Sequence, residues 1–139
     1  MIDPLQASMR IASSGLEAQS ARLRVVSENL ANVNSTGSSA GADPYRRKTV
    51  TFDATLDRAV GAHTVVIREY GSDKAPFRIE RDPSHPAADA DGNVKLPNVN
   101  MLVEMADMRE TNRSYEANLQ IVKQSRSMVA MVIDLLKGT

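Results

Sequence analysis

Cysteine is absent from this sequence of 139 residues, and its absence removes several kinds of chemistry at once. No disulfide can crosslink the fold, and no thiolate can act as a nucleophile or as a metal ligand. Tryptophan is also absent, and aromatic residues make up only 4% of the chain. Since aromatic rings usually supply much of the buried area of a small core, this core must rely on aliphatic side chains.

An excess of charge of one sign is lacking too, because 17 Lys and Arg residues balance 17 Asp and Glu residues. Such a chain has no bulk attraction for nucleic acid or for anionic lipid, and we expect neither as a partner. The N-terminal segment carries Asp3 and Glu17 and lacks the apolar run of a secretory signal or a membrane span. Any export from the cytoplasm should therefore proceed without a cleavable signal peptide.

Motifs for catalysis, cofactors and metals are missing as well. The segment Asp89–Asn93 resembles a calcium loop, but Gly92 stands at its fourth position and the loop requires glycine at the sixth. His63 and His85 have no nucleophile motif to work with. We therefore predict no enzyme activity and no catalytic, cofactor-binding or metal-binding residues, and a small hydrolase using either histidine is a remote alternative.

The distribution of proline divides the chain into three parts. Every proline except Pro4 lies between Pro44 and Pro97, so both ends of the chain are open to long helices. We predict an N-terminal heptad helix in residues 1–36, a loop and short-strand insertion in 37–97, and a C-terminal heptad helix in 98–139. The three parts together should form one elongated structural unit.

The first helix should begin with Asp3 as its N-cap and Pro4 at its first position, and should end near residue 34. Gly15 interrupts it at a cost of about 1 kcal/mol relative to Ala, so either the backbone packs closely there or the helix bends. Apolar residues recur every seven positions in two rows, as they do in a coiled coil. We predict an assembly seam formed by Ile2, Leu5, Met9, Leu16, Leu23, Val26, Leu30 and Val33.

The second helix should begin after Pro97 and end before Gly138, which stands where a C-cap is expected. At 1.5 Å per residue it would be about 55 Å long, whereas a compact globule of this size has a radius of gyration of about 14 Å. Asn112 and Arg126 are polar members of its seam and should fix the register between neighbouring helices. The predicted seam comprises Met105, Met108, Asn112, Tyr115, Leu119, Val122, Arg126, Val129, Ile133 and Leu136.

The middle of the chain has strand-like composition at residues 48–52, 63–70 and 77–81. The turn-rich stretch 82–93 should be irregular or hairpin structure, and Asp91–Gly92 suits a tight hairpin. The fold class is therefore mainly α with a small β region, with the two terminal helices forming a coiled-coil-like pair. The basic run Arg46–Lys48 could bind an anion, but a solvated strand or a subunit contact is the favoured interpretation.

Both seams must be buried, because each Leu, Ile or Val left in water forfeits about 1.5–3 kcal/mol. They can pair within one chain or between chains. Pairing between chains predicts a non-catalytic structural subunit of a filament or rod. Pairing within one chain predicts a soluble coiled-coil adaptor or a secretion chaperone, which is the alternative from another class.

The motifs at both ends favour the first prediction. The sequence resembles the N-terminal signature of bacterial flagellar rod, hook and hook-associated proteins, and the segments 43–48, 82–86 and 112–119 are similar to the proximal-rod members of that family. The residues that carry the N-terminal resemblance are Ser14, Gly15, Leu16, Asn29, Leu30, Ala31 and Asn32.

The resemblance implies a place in the basal body and a route to it. It implies export through the flagellar type III apparatus and assembly in the periplasm with copies of the chain, with other rod proteins, and with membrane-ring and export-gate components at the rod base. The terminal helices would then form a hollow shaft that transmits torque and encloses the export channel.

Overall fold

The computed structural model describes residues 4–138, in which two long helices flank a region of short strands. This arrangement confirms the predicted fold class, while the predicted positions of Ile2 and Asp3 lie outside the described residues. None of the helices in the described range combines the length and apolarity needed to span a membrane. The elements are α1 (Pro4–Ala31), β1 (Lys48–Asp57), β2 (Ala62–Ser72), β3 (Arg78–Arg81), β4 (Asn93–Leu96) and α2 (Met101–Lys137).

The first helix, α1, ends at Ala31, earlier than the predicted residue 34. Asn32 causes the early end, because its Nδ2 donates to the Glu28 carbonyl at 2.9 Å while its backbone N–H contacts the Glu28 and Asn29 carbonyls together. The Asn32 side chain thus satisfies a carbonyl of the last turn and caps the helix.

The second helix, α2, begins at Met101 and has 37 residues. Asn100 is its N-cap, since its Oδ1 accepts hydrogen bonds from the backbone N–H groups of Leu102 and Val103. At the other end, the backbone N–H of Gly138 donates to the Asp134 carbonyl at 3.1 Å. The predicted stop at Gly138 is therefore confirmed, and the start lies a little later than the sequence indicated.

The strands form two separate two-stranded sheets, β1–β2 and β3–β4. In the second sheet the strands run antiparallel, with Arg78 opposite Leu96 and Arg81 opposite Asn93. The connection between these strands spans residues 82–92, so this stretch is irregular, the first of the two predicted alternatives, and does not form a tight hairpin at Asp91–Gly92. Glycine is required at position 92 for two other reasons. Its φ is +81°, which favours glycine, and an added Cβ would lie 2.9 Å from Cγ of Pro83.

The chain folds as two compact units, each assembled from separate stretches. The first unit contains residues 4–23, 51–69 and 110–138, and the second contains 24–50 and 70–109. Small aliphatic side chains fill both cores, as the scarcity of aromatic residues predicted. The buried members are Ala12, Ala18, Ala21, Val60 and Val122 in the first unit and Val25, Val26, Val33, Ala87, Val94 and Val99 in the second.

Candidate assembly interface

In the first unit, α1 and α2 pack against each other in opposite directions. A Cβ added to Gly15 would lie 2.8 Å from Nδ2 of Asn118, so the α1 backbone touches that side chain. Leu5, near the start of α1, lines a groove together with Met128, near the end of α2. The close approach explains the glycine in α1, since any larger residue would push Asn118 aside.

The described seam residues of the N-terminal segment, Leu5 to Val33, lie in buried or half-buried positions. Val26 and Val33 are buried, with 3% and 9% of their surface exposed. The other members are half-buried and keep part of their side chains accessible, namely Leu5, Met9, Leu16, Leu23 and Leu30.

The seam residues of α2 divide into two groups. Val122 is buried, and Met108, Tyr115, Leu119 and Val129 are half-buried. The remaining members are exposed in the single chain, namely Met105, Asn112, Arg126, Ile133 and Leu136.

A row of polar residues on α2, which we call the inner row, occupies positions that an apolar seam would normally fill. It consists of Glu104, Thr111, Asn118 and Ser125, again seven residues apart. Glu104 and Thr111 are fully buried, and Ser125 is 5% exposed. Sequence reasoning missed this row because a search for apolar repeats passes over polar ones, although the spacing itself was visible.

In the second unit, Glu104 is the centre of a buried set of polar side chains. Its Oε1 lies 2.5 Å from Nε of Arg47, and its Oε2 accepts a hydrogen bond from Nδ2 of Asn29 at 3.1 Å. The guanidinium of Arg47 also lies 3.6 Å from Asp73 and 3.8 Å from Asp107. A buried carboxylate requires such pairing, since an isolated one would be strongly destabilising.

Asn29 uses all of its hydrogen-bonding capacity in this set. Its Oδ1 accepts from the backbone N–H of Lys48 and from Oη of Tyr45, both at 2.8 Å, and its Nδ2 also donates to the Lys48 carbonyl at 3.0 Å. Burial, followed by the nearby carboxylates of Glu28 and Glu104, raises the pKa of Tyr45 to about 12. We call Asn29, Tyr45, Arg47 and Glu104 the polar cluster; it joins α1, the start of β1 and α2.

The basic run Arg46–Lys48 thus has its partners within the chain. Arg46 stacks over the ring of Phe77 at 4.1 Å and donates to the Asp73 carbonyl at 3.0 Å. Arg47 belongs to the polar cluster, and Lys48 pairs with Glu28. Arg46 and Arg47 are therefore half-buried against groups of the same chain and do not lie on a solvated strand, because sequence alone does not show which groups the fold places beside them. A subunit contact by this run stays a prediction.

The other motif residues serve local structure. Ser14 Oγ donates to the Ile11 carbonyl at 2.8 Å and accepts a bond from the Val65 N–H at 3.1 Å, which ties α1 to β2. Asn32 caps α1, as described above. Among the remaining members, Leu16 and Leu30 are half-buried and Ala31 is exposed.

The two histidines lie apart from any catalytic arrangement in the described residues. His63 is exposed on β2, and His85 Nδ1 accepts a hydrogen bond from the Ala87 N–H at 3.0 Å. In residues 4–138 no group of three or more His, Cys, Asp or Glu side chains could hold a metal ion. The calcium-like segment instead forms a turn, in which Asp89 Oδ1 accepts from the N–H groups of Asp91 and Asn93.

Two long terminal helices, with the motif residues Gly15 and Asn29 in contact with α2, indicate a class: the axial proteins of the bacterial flagellum. Residues 9–37 match the flagella basal body rod protein family, and residues 90–135 match the C-terminal region of the flagellar basal body rod FlgEFG proteins. The particular family follows from whole-chain comparisons.

The flagellar basal-body rod protein FlgC of Agrobacterium fabrum is 59% identical over 99% of both chains. The FlgC proteins of Salmonella typhimurium (39% identical, covering 90% of this chain and 92% of the relative) and Bacillus subtilis (32%, covering 94% and 97%) are similar too. The chain belongs to the FlgC family of flagellar basal-body rod proteins. Since these relatives are named as structural rod proteins, the prediction of a non-enzymatic rod subunit that assembles with other rod components is confirmed.

Proposed function

We propose that the chain is a subunit of the proximal rod whose two terminal helices build the wall of a tubular drive shaft, transmitting torque and enclosing the export channel. The supporting observation is the apolar surface that α2 leaves exposed, including Met105 (42%), Ile133 (45%) and Leu136 (73%). Large exposed apolar surfaces mark sites of association. Long helices packed side by side would also supply the stiffness that torque requires.

The proposal extends to partners and location. The partners are copies of the chain, other rod proteins, and the membrane-ring and export-gate components at the rod base. The chain reaches the periplasm through the flagellar type III apparatus without a cleavable signal. In this arrangement residues 1–36 and 98–139 are the assembly segments and 37–97 is the insertion between them.

A soluble coiled-coil adaptor or a secretion chaperone is the second candidate. The contact between Gly15 and Asn118 favours it, because it shows that the helices can pair within one chain. Membership of a rod protein family favours the first candidate.

The test introduces the same carboxylate at two exposed positions on different faces of α2. Ile133→Asp places a carboxylate in the seam, whereas Ser127→Asp places one in the polar row that includes Lys123 and Asp134. Neither change buries a charge in the single chain. In cells whose only copy of the chain is the variant, Ile133→Asp should abolish rods and swimming while Ser127→Asp preserves both. Electron micrographs of purified basal bodies provide the measurement. Normal rods with Ile133→Asp would contradict the role of the seam in assembly.

A further inference from the structure

A second apolar row on α2 is accessible in the first unit, and the predicted seam does not include it. Ile121, Met128 and Leu135 stand seven residues apart and are 46%, 41% and 74% exposed. We call these three residues the outer row. Val132, 49% exposed, widens it. A seven-residue apolar repeat that stays aligned along a helix is suited to another helix with the same repeat.

Beside the outer row lies a groove of about 400 Å³ between α1 and α2. Apart from apolar Leu5, Ile121 and Met128, its lining is polar and uncharged. Side chains entering from a neighbouring helix would meet no buried charge there. The lining residues are Leu5, Ser8, Gln120, Ile121, Gln124, Ser125 and Met128.

The size of the row restricts what can occupy it. From Ile121 to Leu135 the helix rises about 21 Å, and with a helix width of about 10 Å the contact covers about 200 Å². A stable complex of two free proteins buries about 800 Å² on each partner. The outer row is therefore too small to hold a free dimer, and its occupant must be held by further contacts, as a neighbour in a polymer is.

We infer that the outer row binds α1 of a neighbouring copy of this chain, through the half-buried row Met9, Leu16 and Leu23. This inference rests on the proposed function. Both rows have the same seven-residue spacing and both belong to the first unit. Contacts between unlike surfaces of identical subunits build rings or open helical assemblies, whereas contacts between like surfaces close into dimers.

Because the chain contains no cysteine, introduced thiols can report this contact without a background signal. Leu16→Cys and Met128→Cys are placed on separate copies that are produced together, and purified basal bodies are oxidised and run on a non-reducing gel. We expect a species of twice the subunit mass that requires both variants. Ser127→Cys in place of Met128→Cys is the matched control and should give none.

Several outcomes would overturn the inference: Met128→Cys linking to itself, a link to a different protein, or no link although the chain is present in basal bodies. If either variant fails to assemble, Leu23→Cys or Ile121→Cys provides the same test. Absence of the unmodified chain from basal bodies would contradict the proposed function itself, so the two failures are distinguishable.

Discussion

At the scale of single residues, Glu104 is the most consequential side chain of the second unit. It is fully buried and bound to Arg47 and Asn29, so its removal leaves the guanidinium without its nearest acceptor and the amide with only the Lys48 carbonyl. Breaking a buried ion pair costs about 3–5 kcal/mol. We expect the lower end for Glu104→Ala, because Arg47 keeps more distant contacts with Asp73 and Asp107.

Urea unfolding of the purified chain measures this effect. The control is Glu110→Ala, which removes an exposed carboxylate from the same helix and should change the free energy of unfolding by no more than about 0.5 kcal/mol. Equal effects of the two substitutions would show that the polar cluster contributes nothing beyond surface charge.

The raised pKa of Tyr45 predicts how the free energy of unfolding changes at alkaline pH. Its folded-state pKa is raised from 10.0 to about 12, so the folded chain holds the phenolic proton where the unfolded chain releases it. The stability contributed by the neutral phenol is complete below about pH 10 and is lost as pH rises toward 12. An NMR titration of the Tyr45 ring should show the raised pKa, and Tyr45→Phe should flatten the fall in unfolding free energy over that window. A pKa of Tyr45 near 10.0 would contradict the partly buried environment of its phenol.

At the scale of elements, the sequence predicted each helix from signals that act locally. Pro4 and Gly138 mark helix ends through backbone chemistry that needs no tertiary partner. The inner row was not predictable in the same way, because Thr111 and Ser125 carry no apolar signal and become core residues only where the fold closes over them. The partners of Arg46 and Arg47 likewise come from distant parts of the chain.

The close approach of α1 to α2 at Gly15 gives a prediction at this scale. Alanine is a better helix former by about 1 kcal/mol, but its Cβ would clash with Asn118. Gly15→Ala should therefore stabilise the Asn118→Ala variant by about 1 kcal/mol, and the chain that retains Asn118 by clearly less, because the Asn118 side chain must move aside. A double-mutant cycle of unfolding free energies measures the coupling, and additive effects would show that the two residues do not constrain each other.

At the scale of the whole molecule, stability should be unevenly distributed along α2. Glu104, Thr111 and Val122 are buried, whereas beyond Arg126 every described residue except Val129 is exposed. Segments with few buried contacts open with low free energy. Hydrogen exchange on the dilute subunit should be slow around residues 104–122 and fast in 130–137. In isolated rods the latter range should become protected, and fast exchange there in rods would contradict its role in assembly.

The polar inner row also affects how the subunit responds to force. Helices that meet through Asn118 and Ser125 bury less apolar surface between them than helices joined by leucine would. Pulling the two ends of the chain apart should therefore require little mechanical work, which suits a protein that we propose is threaded through a narrow channel before it folds. Optical-tweezer measurements should give a lower unfolding force for the native chain than for a variant with Ser125→Leu.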